Sequence, residues 1–221
     1  MLGAIALLAL APSLTLNRPY RDGEADRFRV VIVGETEGTD LRVEATLSQT
    51  ARIPKDGAPR LELTVERVTV SAYGERQNLQ KGSKFTYEID RNGRLVSGWV
   101  PDQRSAAGVA FLPYLLYGRS FEQGKETAFD YTDPRVRGYS VNGGARLERM
   151  SPSVDLRGFA RVRSAVSSGR PTVVSFQCSF EPKTGRLLSA SGSFSPTLQA
   201  ERPTTGGPPV LNGMQFELQR L

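Results

Sequence analysis

The chain has 221 residues and a net charge of +6, and it contains 22 glycines, 14 prolines, one cysteine and no histidine. The lack of histidine excludes Ser-His-Asp and Cys-His catalysis and every histidine-containing zinc site, and the lone cysteine excludes an internal disulfide. The many turn-forming residues favour strands over long helices. We expect a mainly β protein that is not an enzyme and needs no cofactor or metal.

Residues 1–11 form an apolar run with the length of a signal-peptide core, too short to span a bilayer as a helix. Ala11 and Ser13 are small residues at the spacing that signal peptidase requires. We therefore predict a signal peptide over residues 1–13 and export to the periplasm or the extracellular space, with no transmembrane helix in the mature chain. The alternative is an apolar N-terminal helix that packs on the sheet.

Strands in the first half are marked by alternating apolar and polar residues. Residues 41–48 alternate throughout, and residues 61–72 change phase at Glu66-Arg67, as one bulged residue would produce. Residues 85–89 alternate as well, and Asn92-Gly93 provides the turn before a return strand. The pattern predicts a straight strand, a bent strand and a hairpin.

The second half repeats this pattern. Residues 154–162 and 172–180 each have one apolar face, and two further strands are predicted over residues 186–194 and 214–221. The run 197–211 has no periodicity and predicts a long exposed loop. We predict a large curved antiparallel sheet or half-barrel of about nine to eleven strands with one covering helix. It forms a single domain over residues 26–221, with halves 26–100 and 126–221.

The two halves share a turn sequence. Asn92-Gly93-Arg94-Leu95 follows one predicted strand, and Thr184-Gly185-Arg186-Leu187 follows another. Hairpins often adopt a glycine at such a position for conformational reasons alone. The similarity therefore hints at a duplicated half and is also consistent with convergence.

Between the halves, residues 102–116 predict the helix, with Asp102 as N-cap, Pro113 as an early bend or end, and Gly118 as the stop. Apolar residues cover most of its circumference, so the helix must be buried on several sides or cover an apolar cavity. The candidate ligand-binding lining of such a cavity is Trp99, Val109, Phe111, Leu112, Leu115, Leu116 and Phe176. Ordinary core packing is the alternative for each of these residues.

Arginines are concentrated between residues 135 and 170, where eight arginines are balanced only by Glu148 and Asp155. Arg157, Arg161 and Arg163 share the outward phase of one predicted strand. Such a stripe predicts a face for anionic lipid headgroups, a polyanion or an acidic envelope protein. Nucleic acid is not expected as a partner of an exported protein. The alternative is a solvated strand face that limits aggregation.

Three further sequence patterns resemble chemical sites only weakly. Catalysis on paired carboxylates would require Asp130, Asp133 and Asp155 to converge, but acids beside turns are usually solvated. Residues 88–93 imitate an EF-hand loop, although Trp99 stands where its last carboxylate ligand is required. Cys178 lies between two phenylalanines in the inward phase, which favours a core residue over a redox thiol.

Two segments carry a resemblance to a known family. The segment Phe111-Leu112-Pro113, followed by residues 121–125, and the later segment 180–187 resemble uncharacterised exported bacterial β-rich domains over residues 27–194. That family has a Gly-x-x-Trp segment between two β halves, whereas this chain has Ala128-Phe129 near that position. The order of strands, helix and strands is also similar to the curved half-barrel of periplasmic lipoprotein carriers. The resemblance implies an envelope protein.

Two functions follow as hypotheses. The first is a non-enzymatic envelope protein that binds an apolar ligand, such as a lipid or acyl chain, under the helix. The second is a structural or protein-interaction module that uses edge strands and the arginine-rich face. An unfilled cavity under the helix would favour the first function, and a filled core with charged surface patches would favour the second.

Overall fold

A computed structural model describes residues 12–36, 39–79, 82–100, 104–163, 171–194 and 211–221. Asp102, most of the predicted signal peptide and nearly all of the predicted loop 197–211 lie outside these ranges. The elements in chain order are β1 (Ser13–Leu16), β2 (Ala25–Thr36), β3 (Thr39–Arg52), β4 (Arg60–Ala72), β5 (Glu75–Leu79), β6 (Lys84–Ile89), β7 (Leu95–Ser97), α1 (Ala106–Phe111), a 3₁₀ segment (Leu112–Leu115), β8 (Arg119–Glu122), β9 (Glu126–Thr132), β10 (Ser140–Arg149), β11 (Val154–Arg163), β12 (Thr172–Phe180), β13 (Leu187–Phe194) and β14 (Leu211–Arg220).

One antiparallel sheet dominates the structure. It has twelve strands, of which eleven follow the order β7-β6-β4-β3-β2-β14-β13-β12-β11-β10-β9, and β5 pairs with the part of β4 that β6 leaves free. In the described part of the chain no ladder joins β7 to β9, so the sheet is open. The predicted large antiparallel sheet is confirmed, with one strand more than the upper end of the predicted range. Strands β1 and β8 form a separate pair.

The sheet is built from two similar meanders. Strands β2, β3, β4, β6 and β7 follow one another in space, as do β9 to β13, and β14 lies between β2 and β13. The last hairpin of each meander contains the shared turn sequence, in which Gly93 has φ +82° and Gly185 has φ +65°. The topology therefore supports the predicted similarity of the two halves, with β3 and β4 corresponding to β10 and β11.

The predicted phase change in β4 is a β-bulge. Arg67 pairs with Thr46 on β3, whereas the next pair joins Val65 to Leu47, so Glu66 is the extra residue. The bulge lets both parts of the strand turn their apolar side chains inward despite the slip in alternation. Leu61 and Leu63 on one side of it are fully buried.

The helix is shorter than predicted. It begins after Ser105, whose hydroxyl accepts a hydrogen bond from Gly108 N at 3.1 Å, so Ser105 and not Asp102 is the N-cap. The α-helix ends at Phe111 because Pro113 has no N–H to continue the ladder, and a 3₁₀ segment follows. The early end at Pro113 is confirmed, and the prediction of one continuous helix over residues 102–116 is wrong.

The interior of the curved sheet is occupied by this helix. All six residues of α1 are buried, and the helix contacts β2, β3, β4 and β14. The ring of Phe111 lies 5.2 Å from the ring of Tyr87 on β6, 6.2 Å from that of Tyr131 on β9 and 6.3 Å from that of Tyr139. Because its partners come from both halves, the helix joins them through a single core.

Side chains hold the two sheet edges together at one end. Asp133, just after β9, accepts hydrogen bonds from the amide of Gly98 at 2.6 Å and the hydroxyl of Ser97 at 3.2 Å, both at the end of β7. The hydroxyl of Tyr131 on β9 donates to Gly98 O at 2.7 Å. These contacts connect β7 to β9 without a backbone ladder, so the sheet wraps almost completely around the helix.

The N-terminal segment lies between the two shared turns. The amide of Arg18 donates to Asn92 O at 2.8 Å, and a Cβ atom at Gly93 would lie 2.6 Å from Arg18 O. A Cβ atom at Gly185 would collide with the carbonyl oxygen of Asn17. Glycine is therefore required in both turns for close approach of the N-terminal segment as well as for backbone conformation.

We predict that Gly185→Ala destabilises the protein far more than Gly74→Ala. Both glycines have positive φ, but a Cβ at Gly74 meets open space. The control variant should lose only about 1 kcal/mol, the cost of left-handed backbone in alanine. Gly185→Ala should lose about 2 kcal/mol more, since the N-terminal segment must move. Urea unfolding measures both, and equal losses would contradict the close packing described here.

Candidate functional site

The predicted apolar lining lies mostly inside the core. Val109, Phe111, Leu112, Leu115 and Leu116 are each at most 3% exposed. They belong to α1 and the segment that follows it, and they pack within one continuous cluster of buried side chains. The structure thus brings these five residues together inside the core.

The other two lining candidates come from different elements: Phe176 belongs to the same cluster, and Trp99 packs against it. Phe176 is buried on β12, where its ring faces that of Phe129 at 6.5 Å. Trp99 is half-buried, and its ring lies 6.2 Å from that of Tyr139. It lines an open cleft of about 340 Å³, at the junction of the two sheet edges, together with Lys84, Phe85, Thr86, Gly98, Arg135 and Val136.

The predicted arginine stripe is exposed on the convex face of the sheet. Arg157, Arg161 and Arg163 all point outward from β11, as their alternation predicts. On β10, Arg146 is directly opposite Arg157 and is 62% exposed. We call these four residues the first arginine face. None of the ion pairs formed by described residues involves the three arginines of β11.

An aromatic ring lies at the centre of this face. Phe159 is half-buried between Arg157 and Arg161, and the Arg161 guanidinium lies 5.0 Å from its ring centroid. The neighbouring outward positions are small, since Gly144 and Ser175 flank Phe159. The acids nearby are Glu126, 3.6 Å from Arg146, and Asp130, both on β9, and the exposed Glu148 on β10. Positive charge therefore exceeds negative charge on this face.

The three candidate catalytic aspartates do not share a cleft. Asp130 is exposed on β9, and Asp155 is buried at the far end of β11, where it pairs with Arg149. Asp133 accepts hydrogen bonds from the Arg135 and Val136 amides in addition to its contacts with β7. Its oxygens therefore hold the sheet edges together.

Cys178 and the EF-hand-like segment also have structural roles. Cys178 is 1% exposed on β12, and burial raises the pKa of its thiol, so the reactive thiolate is disfavoured. Asp90 accepts from the amides of Asn92 and Arg94 within the turn, and the amide of Asp90 donates to Arg94 O at 2.8 Å. This is the geometry of the predicted hairpin turn.

A buried ionic cluster was not predicted. Arg18 is 3% exposed and pairs with Glu24 at 2.6 Å and with Asp26 at 3.3 Å. Arg186 also pairs with Glu24 at 2.6 Å, and Arg220 approaches Asp26 at 3.0 Å. The cluster adjoins a cleft of about 800 Å³ lined by Arg18, Pro19, Tyr20, Arg21, Asp22, Gly23, Glu24, Lys183, Thr184 and Arg186.

Local contacts favour the ionised forms of Glu24 and Asp133. Burial opposes ionisation of Glu24, but the hydrogen bond from Arg18 and the Arg21 amide outweigh it and lower the pKa of Glu24. The pKa of Asp133 is lowered in the same way, since the amides of Arg135 and Gly98 overcome the effect of burial. The carboxylates of Glu24 and Asp133 are therefore engaged in hydrogen bonds within the protein, as is typical of acids that stabilise a fold.

Comparisons with known proteins leave the family undefined. No protein-family model and no curated protein matches the chain. A solved structure described as "lipid-protein interactions in lipovitellin" matches with 8% identity and a TM-score of 0.49, over 91% of this chain. The chain covers 25% of the length of that protein. No helix among the described residues is long and apolar enough to cross a membrane.

We predict that acid destabilises the protein partly through Asp133. Its folded pKa lies below the value of about 3.9 for an unfolded aspartate, so its contribution is complete above that value and is lost as the pH falls through the folded pKa. Asp133→Asn should cost about 2 kcal/mol at neutral pH, since a charged acceptor is lost. It should also flatten the pH dependence.

Urea unfolding at neutral pH and at about pH 3 measures both effects. Asp56→Asn, at an exposed loop position, is the matched control and should behave like the wild type. A pH dependence in Asp133→Asn as steep as that of the wild type would contradict this role of Asp133.

Proposed function

We propose that the protein is an exported, non-enzymatic envelope protein that binds anionic lipid headgroups through the first arginine face. The observation that carries this proposal is the exposure of Arg157, Arg161 and Arg163 around the half-buried ring of Phe159. The apolar run of residues 1–11 supports export, because it has the length of a signal-peptide core.

The spacing of the charges suits an extended anionic surface. Arg157 and Arg161 are four residues apart on one strand, which places their Cα atoms about 13 Å apart. Arg146 adds a charge on the next strand. Each arginine near an anionic membrane contributes roughly 1 kcal/mol of attraction, so the three arginines of β11 support peripheral binding without any membrane-spanning element.

The shape of the face favours lipid headgroups over an acidic peptide. Phe159 and Ser175 present a flat and a small side chain between the arginines of β11, which project from the convex face of the sheet. An acidic peptide would gain most from a groove or a free strand edge, whereas a planar layer of phosphates needs only an exposed array of cations. Phe159 offers an aromatic side chain of the kind that favours the membrane interface.

We predict that the protein binds phosphatidylglycerol vesicles, does not bind vesicles of phosphatidylcholine alone, and is released by added salt. Replacing Arg157, Arg161 and Arg163 with serine should reduce vesicle affinity at least tenfold, since three charges of roughly 1 kcal/mol each are lost. Co-sedimentation measures the affinity. An acidic protein partner would instead give no vesicle binding and a complex sensitive to the same substitutions.

The control removes the same charge elsewhere. Lys55, Arg60 and Arg91 are exposed at the end of the sheet that contains the β3–β4 and β6–β7 connections. Replacing these three with serine lowers net charge equally and should leave vesicle affinity within about twofold. Equal loss in both triple variants would show that net charge alone, and not the first arginine face, is responsible.

An apolar ligand in the core is the second candidate function. One observation favours it: the hydroxyl of Tyr87 is buried against Phe111 and has no hydrogen-bond partner among the described residues. A buried hydroxyl without a partner is costly, and the polar end of a lipid would satisfy it. The close contacts of Phe111 with three tyrosine rings require the helix to shift before an acyl chain enters.

Native mass spectrometry of protein purified from its own envelope fraction tests this candidate. We predict no retained lipid and equal or higher stability for Tyr87→Phe, because the substitution removes a buried hydroxyl without a partner. A co-purifying lipid that is lost in Tyr87→Phe would contradict this prediction and support the core site. The polypeptide mass also shows whether residues 1–13 have been removed, as export requires.

A further inference from the structure

A second cluster of arginines lies on the convex face of the other meander. Arg29, Arg42, Arg67 and Arg76 come from four different strands, β2 to β5, and all are exposed. The register brings them together: Arg29 and Arg67 flank Thr46, and Arg42 and Arg76 flank Ser71. We call these four residues the second arginine face.

The carboxylate of Glu44 lies between two of these arginines. Glu44 accepts from Arg42 Nε at 2.7 Å and from Arg29 Nη2 at 3.4 Å. The hydrogen bond from Arg42 lowers the pKa of Glu44, and Arg29 adds to the effect. Arg67 and Arg76 take part in none of the ion pairs formed by described residues. Two arginines therefore hold Glu44 in place, and two are free to bind an external anion.

The free arginines border a small cleft. It has a volume of about 140 Å³ and is lined by Arg29, Glu44, Ala45, Thr46, Arg67, Thr69, Arg76 and Leu221. Thr69 forms part of its floor and donates to Asn78 Oδ1 at 3.0 Å. A cleft of this size, with three guanidinium groups at its border, suits a phosphate group, which arginine binds through paired hydrogen bonds.

The two arginine faces point in nearly opposite directions. Six strand steps separate β4 from β11 along the sheet, and the same number separates β3 from β10. At about 4.8 Å per step this is roughly 29 Å of arc. Because Asp133 and Tyr131 hold β9 close to the end of β7, the eleven ordered strands make almost a full turn. Six steps are therefore about half of the circumference.

We infer that the protein is bivalent for phosphate-bearing anionic surfaces and bridges two of them, one on each arginine face. The inference rests on the proposed function of the first arginine face. It adds a second membrane contact, through the second arginine face, which allows one molecule to bridge two surfaces. The second face should bind more weakly, because Glu44 neutralises part of its charge.

Clustering of phosphatidylglycerol vesicles tests bridging separately from binding. Co-sedimentation reports binding, and dynamic light scattering reports clustering. The wild type should bind and cluster. The double variant Arg67→Ser and Arg76→Ser should bind with nearly wild-type affinity but not cluster, while Arg29 and Arg42 still hold Glu44. The first-face triple variant should bind at least tenfold more weakly through the second face, and it should not cluster either.

Two controls separate bridging by one molecule from bridging by a dimer. A mixture of the first-face and second-face variants should not restore clustering, because no single molecule then has both faces. Sedimentation velocity of each protein without vesicles reports its oligomeric state. The triple variant at Lys55, Arg60 and Arg91 should cluster vesicles like the wild type.

The outcomes are distinct. Wild-type binding without clustering at any ratio of protein to lipid would overturn bivalency and leave the proposed function intact. Clustering by the second-face variant would also overturn it, since bridging would then need only one face. Absence of wild-type binding would overturn the proposed function and the inference built on it.

Discussion

Burial of the segment 106–117 inside the sheet is the constraint on which the rest of the structure depends. The segment is apolar on all sides, and its α-helical part has six residues, too few to be stable alone in water. Each large apolar side chain gains roughly 1.5–3 kcal/mol when it leaves water, so the sheet is stabilised by wrapping around the segment. Curvature, near closure and a filled core all follow from that requirement.

The edges of the curved sheet meet where backbone pairing between strands stops, so side chains must hold them together by polar contacts. Asp133 supplies them at the sheet edges, and the cluster of Arg18, Glu24, Asp26 and Arg186 supplies them where the N-terminal segment crosses the two shared turns. Breaking one member of such a buried cluster leaves an uncompensated charge, which is far more costly than losing a surface pair. These groups therefore hold the curvature in place.

The strands were predictable because their signal is local. Alternation located the inward residues, and a single slip at Glu66 was enough to identify the bulge. The helix start was placed wrongly because Asp102 and Ser105 are both suitable caps, and only the geometry shows that Ser105 is used. The partner of the glycine turns, Asn17-Arg18, could not be predicted, since no local pattern connects residues so far apart in sequence.

The difference between local signals and contacts of distant residues also explains why only one arginine face was predictable. Arg157, Arg161 and Arg163 lie on one strand, so their alternation revealed the first face from sequence alone. The second face combines residues of four strands that are neighbours only through the pairing register. The exclusion of histidine chemistry needed only composition, whereas the filled interior required knowledge of which rings meet Phe111.

The central claim is that the outer surface binds while the interior serves as core. Amide chemical shifts recorded by NMR with phosphatidylglycerol nanodiscs test it most directly, because they report on every part of the chain at once. We expect the largest changes at residues 142–146 and 157–163 of β10 and β11, with residues 106–117 unchanged. Changes concentrated in residues 106–117, with β10 and β11 unaffected, would contradict the account and show that the helix moves to admit a ligand.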